Sequence, residues 1–345
     1  MIKKTAIITG VTGQLGSYFA EFLLAKGFEV IGAVRRLSVP NSQNISEIDN
    51  KNFKIEPMDL GDSHSIDALV IKYKPNYFIN CAANSFVGSS WDYPEQHFEF
   101  NSLGVLRQLE SIRKHSPNTR YLNMGSSEEF GNVVYSPQDE KHPAMARSPY
   151  GASKIAARQI VKVWRESYGL YAIQCYCFNF ESPRRGSEFL TQKVVTGVAN
   201  IKKAIKNKEP FAPIELGNLD AKRDWNHVSD TVYGLWLMLN QKEPKEYVLA
   251  SGETHSVREF VSEAFKVAGV HGTWQMAFDA LDETFESKYG TLVKVNSKFY
   301  RPAEVELLCG DSTLARTELG WVPKITFNQL VNEMVENKLC QKRKK

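Results

Sequence analysis

No two cysteines in the sequence stand as a CxxC pair, and none is spaced with histidine in the manner of metal ligands. The five present (Cys81, Cys175, Cys177, Cys309 and Cys340) therefore argue against a zinc site. Their odd number, with no signal-peptide pattern, sets the expectation of a reducing cytoplasm. No apolar run approaches the roughly 18 residues that a membrane-spanning helix needs. Internal repeats and low-complexity linkers are missing too. Charge of one sign is scarce: the net +4 equals the contribution of the terminal bases Lys342, Arg343, Lys344 and Lys345. The remaining chain is neutral, with no general attraction to nucleic acid, and the basic end reads as a frayed, solvated terminus.

What is present is an ordinary globular mixture over 345 residues, 42% hydrophobic and 24% charged. That length implies two domains, or one large α/β domain with a lobe. Apolar strands are expected at Ala6–Thr9, Glu29–Val34, Phe53–Glu56, Tyr77–Asn80, Arg120–Met124 and Ala172–Phe178. Between the first two, Leu15, Tyr18, Phe19, Phe22 and Leu23 follow the i, i+3, i+4 spacing of an amphipathic helix. Alternation of this kind predicts right-handed βαβ units and a Rossmann-type, doubly wound parallel sheet. Cys175 and Cys177 fall on one face of the sixth strand, as small buried hydrophobes. Beyond about residue 180 the rhythm becomes irregular. A capping box at Ser256–Glu259 opens a helix to about Ala268, and "FNQLVNEMVENK" forms another. Residues 1–180 are thus expected to bind a dinucleotide, with later segments returning to that domain. Residues 181–340 mainly form a smaller lobe of insertions at the sheet's C-terminal edge.

"ITGVTGQLG" sets Gly10, Gly13 and Gly16 between the first strand and first helix. Glycines there permit a tight turn and let backbone N–H groups approach a pyrophosphate at the helix N-terminus. An NAD site usually carries an acid at the end of the next strand, for the ribose hydroxyls. Here that strand runs into Arg35 and Arg36. They read either as exposed loop residues or as a clamp for a 2′-phosphate, and the second reading favours NADP. Asp59 and Leu60, after the third strand, are then expected along the adenine.

Tyr150 and Lys154 stand four apart in "SPYGASK", on one face of a helix. The lysine's charge favours a phenolate, whose ordinary pKa is about 10. The strand ending at Met124 leads into "GSSEEFG". Ser126 there can hydrogen-bond a substrate hydroxyl whose proton Tyr150 removes. That trio suffices to oxidise an alcohol and has no use for Glu128. A carboxylate beside a ketone can remove an α-proton and protonate a leaving group. The plainer reading of "SSEE" is a helix cap with solvated acids.

These motifs, together with "ESPRRG", "RESYG", "GNLDAKRDWNHVSD" and "RPAEVE", resemble the GDP-mannose 4,6-dehydratases, which are extended short-chain dehydrogenases/reductases. The resemblance covers nearly the whole chain. It implies a Rossmann domain with a smaller C-terminal nucleotide-sugar lobe, NADP, and a homodimer or homotetramer. It places catalytic roles on Ser126 (usually Thr), Glu128, Tyr150 and Lys154. Cofactor contacts fall on Gly10, Thr12, Gly13, Gln14, Leu15, Gly16, Arg35, Arg36, Asp59, Leu60, Cys81, Ala82, Ala83, Ser85, Lys154 and Arg185. Substrate contacts fall on Ser85, Ser90, Asn179, Lys193, Arg223, Arg301 and Glu304, and no metal is implied.

The chain departs from the family pattern at several points. Leu15 stands for an aspartate, Asn84 and Phe86 fall in "AANSFV" where "GAQSHV" is usual, Gln96 replaces a tyrosine, and Phe180 replaces a histidine. These changes reshape the pocket, so a related GDP-sugar such as a manno-heptose stands beside GDP-mannose as the expected substrate. Two other readings stay open. One is a reductase or epimerase of the same fold, which needs no carboxylate for C6 elimination. The other is a non-catalytic NADP sensor, which needs neither Tyr150 nor Lys154.

Overall fold

The computed structural model describes residues 4–39, 41–300, 303 and 305–340. Arg301, Glu304 and the terminal bases Lys342, Arg343, Lys344 and Lys345 therefore lie outside the described residues.

Six strands, β1 (Thr5–Thr9), β2 (Glu29–Val34), β3 (Phe53–Pro57), β4 (Tyr77–Asn80), β5 (Arg120–Met124) and β6 (Ala172–Cys177), form one sheet with the short strand Val248–Leu249. The spatial order is Val248–Leu249, β6, β5, β4, β1, β2, β3, and every pairing is parallel. This is the doubly wound sheet anticipated, with the order reversing between β1 and β4. The expected strand ends differ by one residue at most, and the seventh strand was not anticipated.

Period-two alternation decides which core each residue enters. Ala6, Ile8, Val30, Ile79, Leu122 and Ile173 face one side, where α1 (Gln14–Ala25) packs with the later helix α7 (Val228–Leu239). Ile7, Ile31, Phe78, Tyr121 and Ala172 face the other, toward α2 (Ser63–Tyr73), α4 (Gly104–His115) and α5 (Pro149–Tyr168). Cys175 and Cys177 are buried together in the first cluster. The chain from α3 (Pro94–Phe98) into α4 passes through one π-helical turn, Glu99–Leu103.

The polar row at the strand ends matters most for the site. Thr9, Asn80, Asn123 and Gln174 are register neighbours on β1, β4, β5 and β6, and all are buried. Thr9 Oγ1 donates to Asn80 Oδ1 (2.6 Å), Asn80 Nδ2 to Asn123 Oδ1 (2.8 Å), and Asn123 Nδ2 to Gln174 Oε1 (2.6 Å). A fully satisfied buried network of this kind specifies register, because any slip would strand its polar groups.

A third core joins α6 (Leu190–Asn207), α8 (Val257–Val267) and α10 (Phe327–Cys340), with Trp225, Phe260 and Val293 within it. The capping box of α8 forms as the SVRE pattern predicts. The short helix α9 (Thr313–Leu319) packs against α7. No helix among the described residues is long and apolar enough to cross a membrane.

Candidate active site

The switch point between β1 and β4 opens at the glycine turn. Gly10 has φ +61°, and a Cβ there would lie 2.8 Å from the Ala82 amide nitrogen. A Cβ on Gly16 would meet the Gly10 carbonyl oxygen at 2.4 Å. Gly13 is the N-cap of α1 and offers no side-chain acceptor, whereas Asp62, Ser148 and Ser256 cap α2, α5 and α8 with theirs. The first turn of α1 thus has no side-chain acceptor of its own. Thr12 accepts a bond from Asn44 through its carbonyl (2.9 Å). Gln14 is buried: Nε2 donates to the Phe180 carbonyl (3.0 Å) and Oε1 accepts from Ser182 Oγ (2.6 Å). Leu15 is packed in the core, which leaves its backbone as the part facing the turn.

Thr9 pairs with Ala33 across β1 and β2, so Arg35 and Arg36 emerge, exposed, at the edge that carries the glycine turn. Asp59 is half-buried after β3, while Leu60 is buried in the core. Cys81, Ala82 and Ala83 follow β4 half-buried, and Ser85 is exposed. Asn101, on the π-helical turn, holds this loop. Its Oδ1 accepts from the Asn84 amide (2.9 Å), and its Nδ2 donates to the Asn84 carbonyl and Ser153 Oγ (3.0 Å each). Ser90 is buried with its hydroxyl on the Val87 carbonyl (2.7 Å).

The structure brings Ser126, Glu128, Tyr150 and Lys154 together. Ser126 Oγ caps a short turn at Ser127–Glu129, accepting from the Glu128 amide (3.2 Å). Gly151 sits where a Cβ would come within 2.6 Å of the Glu128 carbonyl, so turn and helix touch beside Tyr150. Burial pushes the Tyr150 phenol up, the nearby Ser126 hydroxyl opposes this, and the charges of Glu128 and Glu129 add to the rise. Lys154, 3% exposed, donates to the Met124 carbonyl (2.8 Å) and stands 5.8 Å from the Tyr150 ring centre. Burial pushes its ammonium down to about 8, and Glu129 opposes the fall. The expected phenolate-favouring field of Lys154 is thus countered at Tyr150 by desolvation and two carboxylates.

The solvated-cap reading of "SSEE" is half right. Ser126 and Glu129 form a reciprocal cap, but both acids are buried. Glu129, fully buried, is consumed by the Ser126 amide and by Arg158. His97 was not anticipated. It is buried edge-on to Tyr150, with ring centres 6.0 Å apart, and nothing in the local sequence signals it.

Arg185 pairs with buried Glu181 (3.2 Å) and lies 3.5 Å over the Phe189 ring, against which Phe86 packs edge-on. Phe180 packs elsewhere, against the core of α1 and the sheet. Asn179 opens a short parallel strand that pairs with Trp225–His227. Arg223 is buried beside it. Lys193 lines a cavity of about 730 Å³ with Asn200, Phe211, Pro213, Glu215 and Phe299, and its ammonium is 3.4 Å from the Phe299 ring centre. Of these, only Lys193 was anticipated. Among the described residues no three His, Cys, Asp or Glu side chains are grouped as a metal ion requires.

The model of the family described as GDP-mannose 4,6 dehydratase matches residues 7–334. The chain is 44% identical over 344 residues to GDP-mannose 4,6 dehydratase of Drosophila melanogaster, covering 96% of this chain and 85% of that one. It is 41% identical over 361 residues to the Vibrio cholerae serotype O1 GDP-mannose 4,6-dehydratase (99% and 95%), and 41% identical over 342 residues to the Homo sapiens protein (96% and 91%). Among solved structures, UDP-glucose 4-epimerase of Thermotoga maritima superposes with a TM-score of 0.80 at 20% identity, covering 96% and 98% of the chains. The dTDP-glucose 4,6-dehydratase of Bacillus anthracis gives 0.79 at 20% identity, covering 97% and 96%. At that identity the superpositions speak to the fold alone.

Proposed function

The chain belongs to the GDP-mannose 4,6-dehydratase family and is a nucleotide-sugar 4,6-dehydratase; we propose that NADP serves it, that a GDP-sugar of the mannose or manno-heptose type is its substrate, and that Ser126, Glu128, Tyr150 and Lys154 move the protons. Buried Glu128 on the turn beside Tyr150 carries the reading: oxidation at C4 alone has no need of it.

The glycine turn fits a dinucleotide, because Gly10 and Gly16 leave no room for side chains and the start of α1 lacks a side-chain cap. Exposed Arg35 and Arg36 suit the 2′-phosphate of NADP, with Asp59 and Arg185 completing the cradle. When bound, the dinucleotide held by this turn would supply a hydride acceptor for C4, a hydride donor for C6 and a positive charge that would favour the phenolate.

Tyr150 removes the O4 proton, while Ser126 orients the O4 hydroxyl and Lys154 stabilises the negative phenolate. The 4-ketone acidifies C5–H. Glu128 takes that proton and delivers it to the departing O6, which leaves as water. As the hydride would return to C6, the proton held by Tyr150 is delivered to C5, which restores the phenolate, and the product is a 4-keto-6-deoxy sugar.

The nucleotide is assigned to the second lobe. The apolar cavity around Phe211 and Phe299 suits a base, with Lys193 and Arg223 toward the diphosphate. Arg301, Glu304, Asn179, Ser85 and Ser90 remain assigned to the sugar nucleotide on the family resemblance. Residues 1–180 bind the dinucleotide and 181–340 mainly the sugar nucleotide. A dimer or tetramer remains assigned on the family resemblance. Phe86 and Phe189 make one wall apolar where histidine would offer a polar edge, which supports a sugar other than plain mannose.

Mass spectrometry of products from a panel of GDP-hexoses and GDP-heptoses tests the reading. The expected product is lighter than its substrate by one water. A product that keeps its C6 oxygen makes the protein an epimerase or reductase instead.

A further inference from the structure

Arg158 lies four residues after Lys154, on the same face of α5, and so brings a second cation beneath the site. Left alone it would be an uncompensated buried charge. Glu129 answers it: Oε2 accepts from Arg158 Nε at 2.5 Å and Oε1 from Nη2 at 3.2 Å, with Arg158 4% exposed and Glu129 fully buried. The same Oε1 accepts from the Ser126 amide (2.8 Å) and from Gln174 Nε2 (3.2 Å). Gln174 also donates to the Lys154 carbonyl (3.1 Å) and ends the polar row that runs back to Thr9. On its far side Arg158 donates to Glu246 (2.8 Å) and lies 3.3 Å over the Tyr176 ring. Gly125, at the hinge of the turn, has no room for a Cβ. It would sit 2.2 Å from the Cys175 carbonyl oxygen and 2.7 Å from Arg158 Nη2 and Glu129 Oε1.

We propose that Glu129 and Arg158 are positioning residues for the dehydration: their buried ion pair locks the turn carrying Ser126 and Glu128 onto the helix carrying Tyr150 and Lys154. An apolar pair of similar volume could stabilise the fold as well, since desolvating two charges offsets much of their attraction. Charged partners instead give bidentate geometry, and the turn is aimed through one carboxylate oxygen. The pair also sets the field at Lys154. The groups facing that ammonium are Tyr150 and Arg158 from its own helix, Glu129 from the turn, Cys81 after β4, Cys177 on β6 and His97 on α3. Glu129 and Arg158 act on it with opposite sign.

The inference rests on the dehydratase reading, so the test begins with the native enzyme and whichever of GDP-mannose and GDP-manno-heptose it turns over faster. Steady-state kinetics from about pH 6 to 10 are compared for Glu129→Gln, Arg158→Met, Arg158→Lys and the double variant Glu129→Leu/Arg158→Met, with urea unfolding of each. The single neutral variants should lose about tenfold or more in kcat with KM changed less than about threefold. The alkaline limb should move to lower pH in Glu129→Gln, where Arg158 keeps Glu246 but the carboxylate that favours the Lys154 ammonium is gone. It should move to higher pH in Arg158→Met. Arg158→Lys should keep the native limb and recover part of the rate. The double variant should be more stable than either single neutral variant, with no unpaired half of the ion pair left behind, without regaining kcat. Native kcat in the stable double variant, or limbs that stay put or move together in the single variants, would overturn the proposal. A native enzyme that dehydrates neither sugar nucleotide fails the functional reading instead.

Discussion

Lys154 on α5 donates to the carbonyl of Met124, the last residue of β5, across 2.8 Å. That bond fixes the catalytic helix against the strand end, but it leaves an ammonium 3% exposed. The energetic consequence has a definite sign. The folded pKa of about 8 lies below the unfolded value of about 10.4, so between these two the unfolded chain binds more protons. Stability contributed by this group therefore rises with pH through that window and stands at its unfavourable floor below pH 8.

Lys154→Met should accordingly stabilise the protein near neutrality while abolishing turnover. The ceiling is about 3 kcal/mol, reduced by the lost bond to Met124. Urea unfolding at about pH 7 and pH 10 should show the gap between variant and native protein closing as the native lysine deprotonates. A gap independent of pH would remove burial of charge as its cause.

Replacing Arg35 by alanine should weaken NADP binding by about 1.5–3 kcal/mol, the scale of a charged hydrogen bond, and leave NAD binding nearly unchanged. The motivation is its exposed position at the edge of the glycine turn, with no acid in its place. Calorimetry with both dinucleotides decides it. Equal affinities of the native protein for the two would rule out the 2′-phosphate clamp.

Lys193 is partly buried in the second-lobe cavity against the Phe299 ring, and burial pushes its ammonium below the ordinary lysine range. Lys193→Ala should raise the dissociation constant for GDP about tenfold or more, without altering NADP affinity. Native GDP affinity in this variant would move the nucleotide away from the cavity.

The sheet was legible because β1, β2, β4, β5 and β6 are runs of apolar and β-branched residues buried on both faces, and the edge strand β3 is bounded by turns. Val248–Leu249 was not: two residues carry no periodicity. The glycine turn and the Tyr150–Lys154 pair were legible because both are short-range spacings. Glu128 and Glu129 show the limit. Adjacent and identical, they part company only because Arg158 and Gln174, remote in sequence, claim the second. The SxxE spacing from Ser126 to Glu129 does announce the cap. His97 reaches Tyr150 through the packing of α3 on α5, which no local pattern encodes.

Glu128 separates a dehydratase from an oxidoreductase. Ser126, Tyr150 and Lys154 suffice for proton removal at O4, whereas C5 deprotonation and loss of the C6 hydroxyl need one group that both accepts and gives a proton. Glutamine keeps the shape and does neither. The cap is untouched by the substitution, because it is carried by Glu129, and the Glu128 amide bond to Ser126 belongs to the backbone. Glu128→Gln should still show C4 oxidation, as a rise in nicotinamide absorbance near about 340 nm on mixing with substrate, with urea unfolding run alongside. It should then stall, with turnover down by about a hundredfold or more, the usual size of general acid–base assistance. Removing the carboxylate also removes a negative charge that raises the Tyr150 phenol, so the acid limb of the oxidation step should shift to lower pH. A variant that forms the 6-deoxy product at the native rate would take Glu128 out of the elimination.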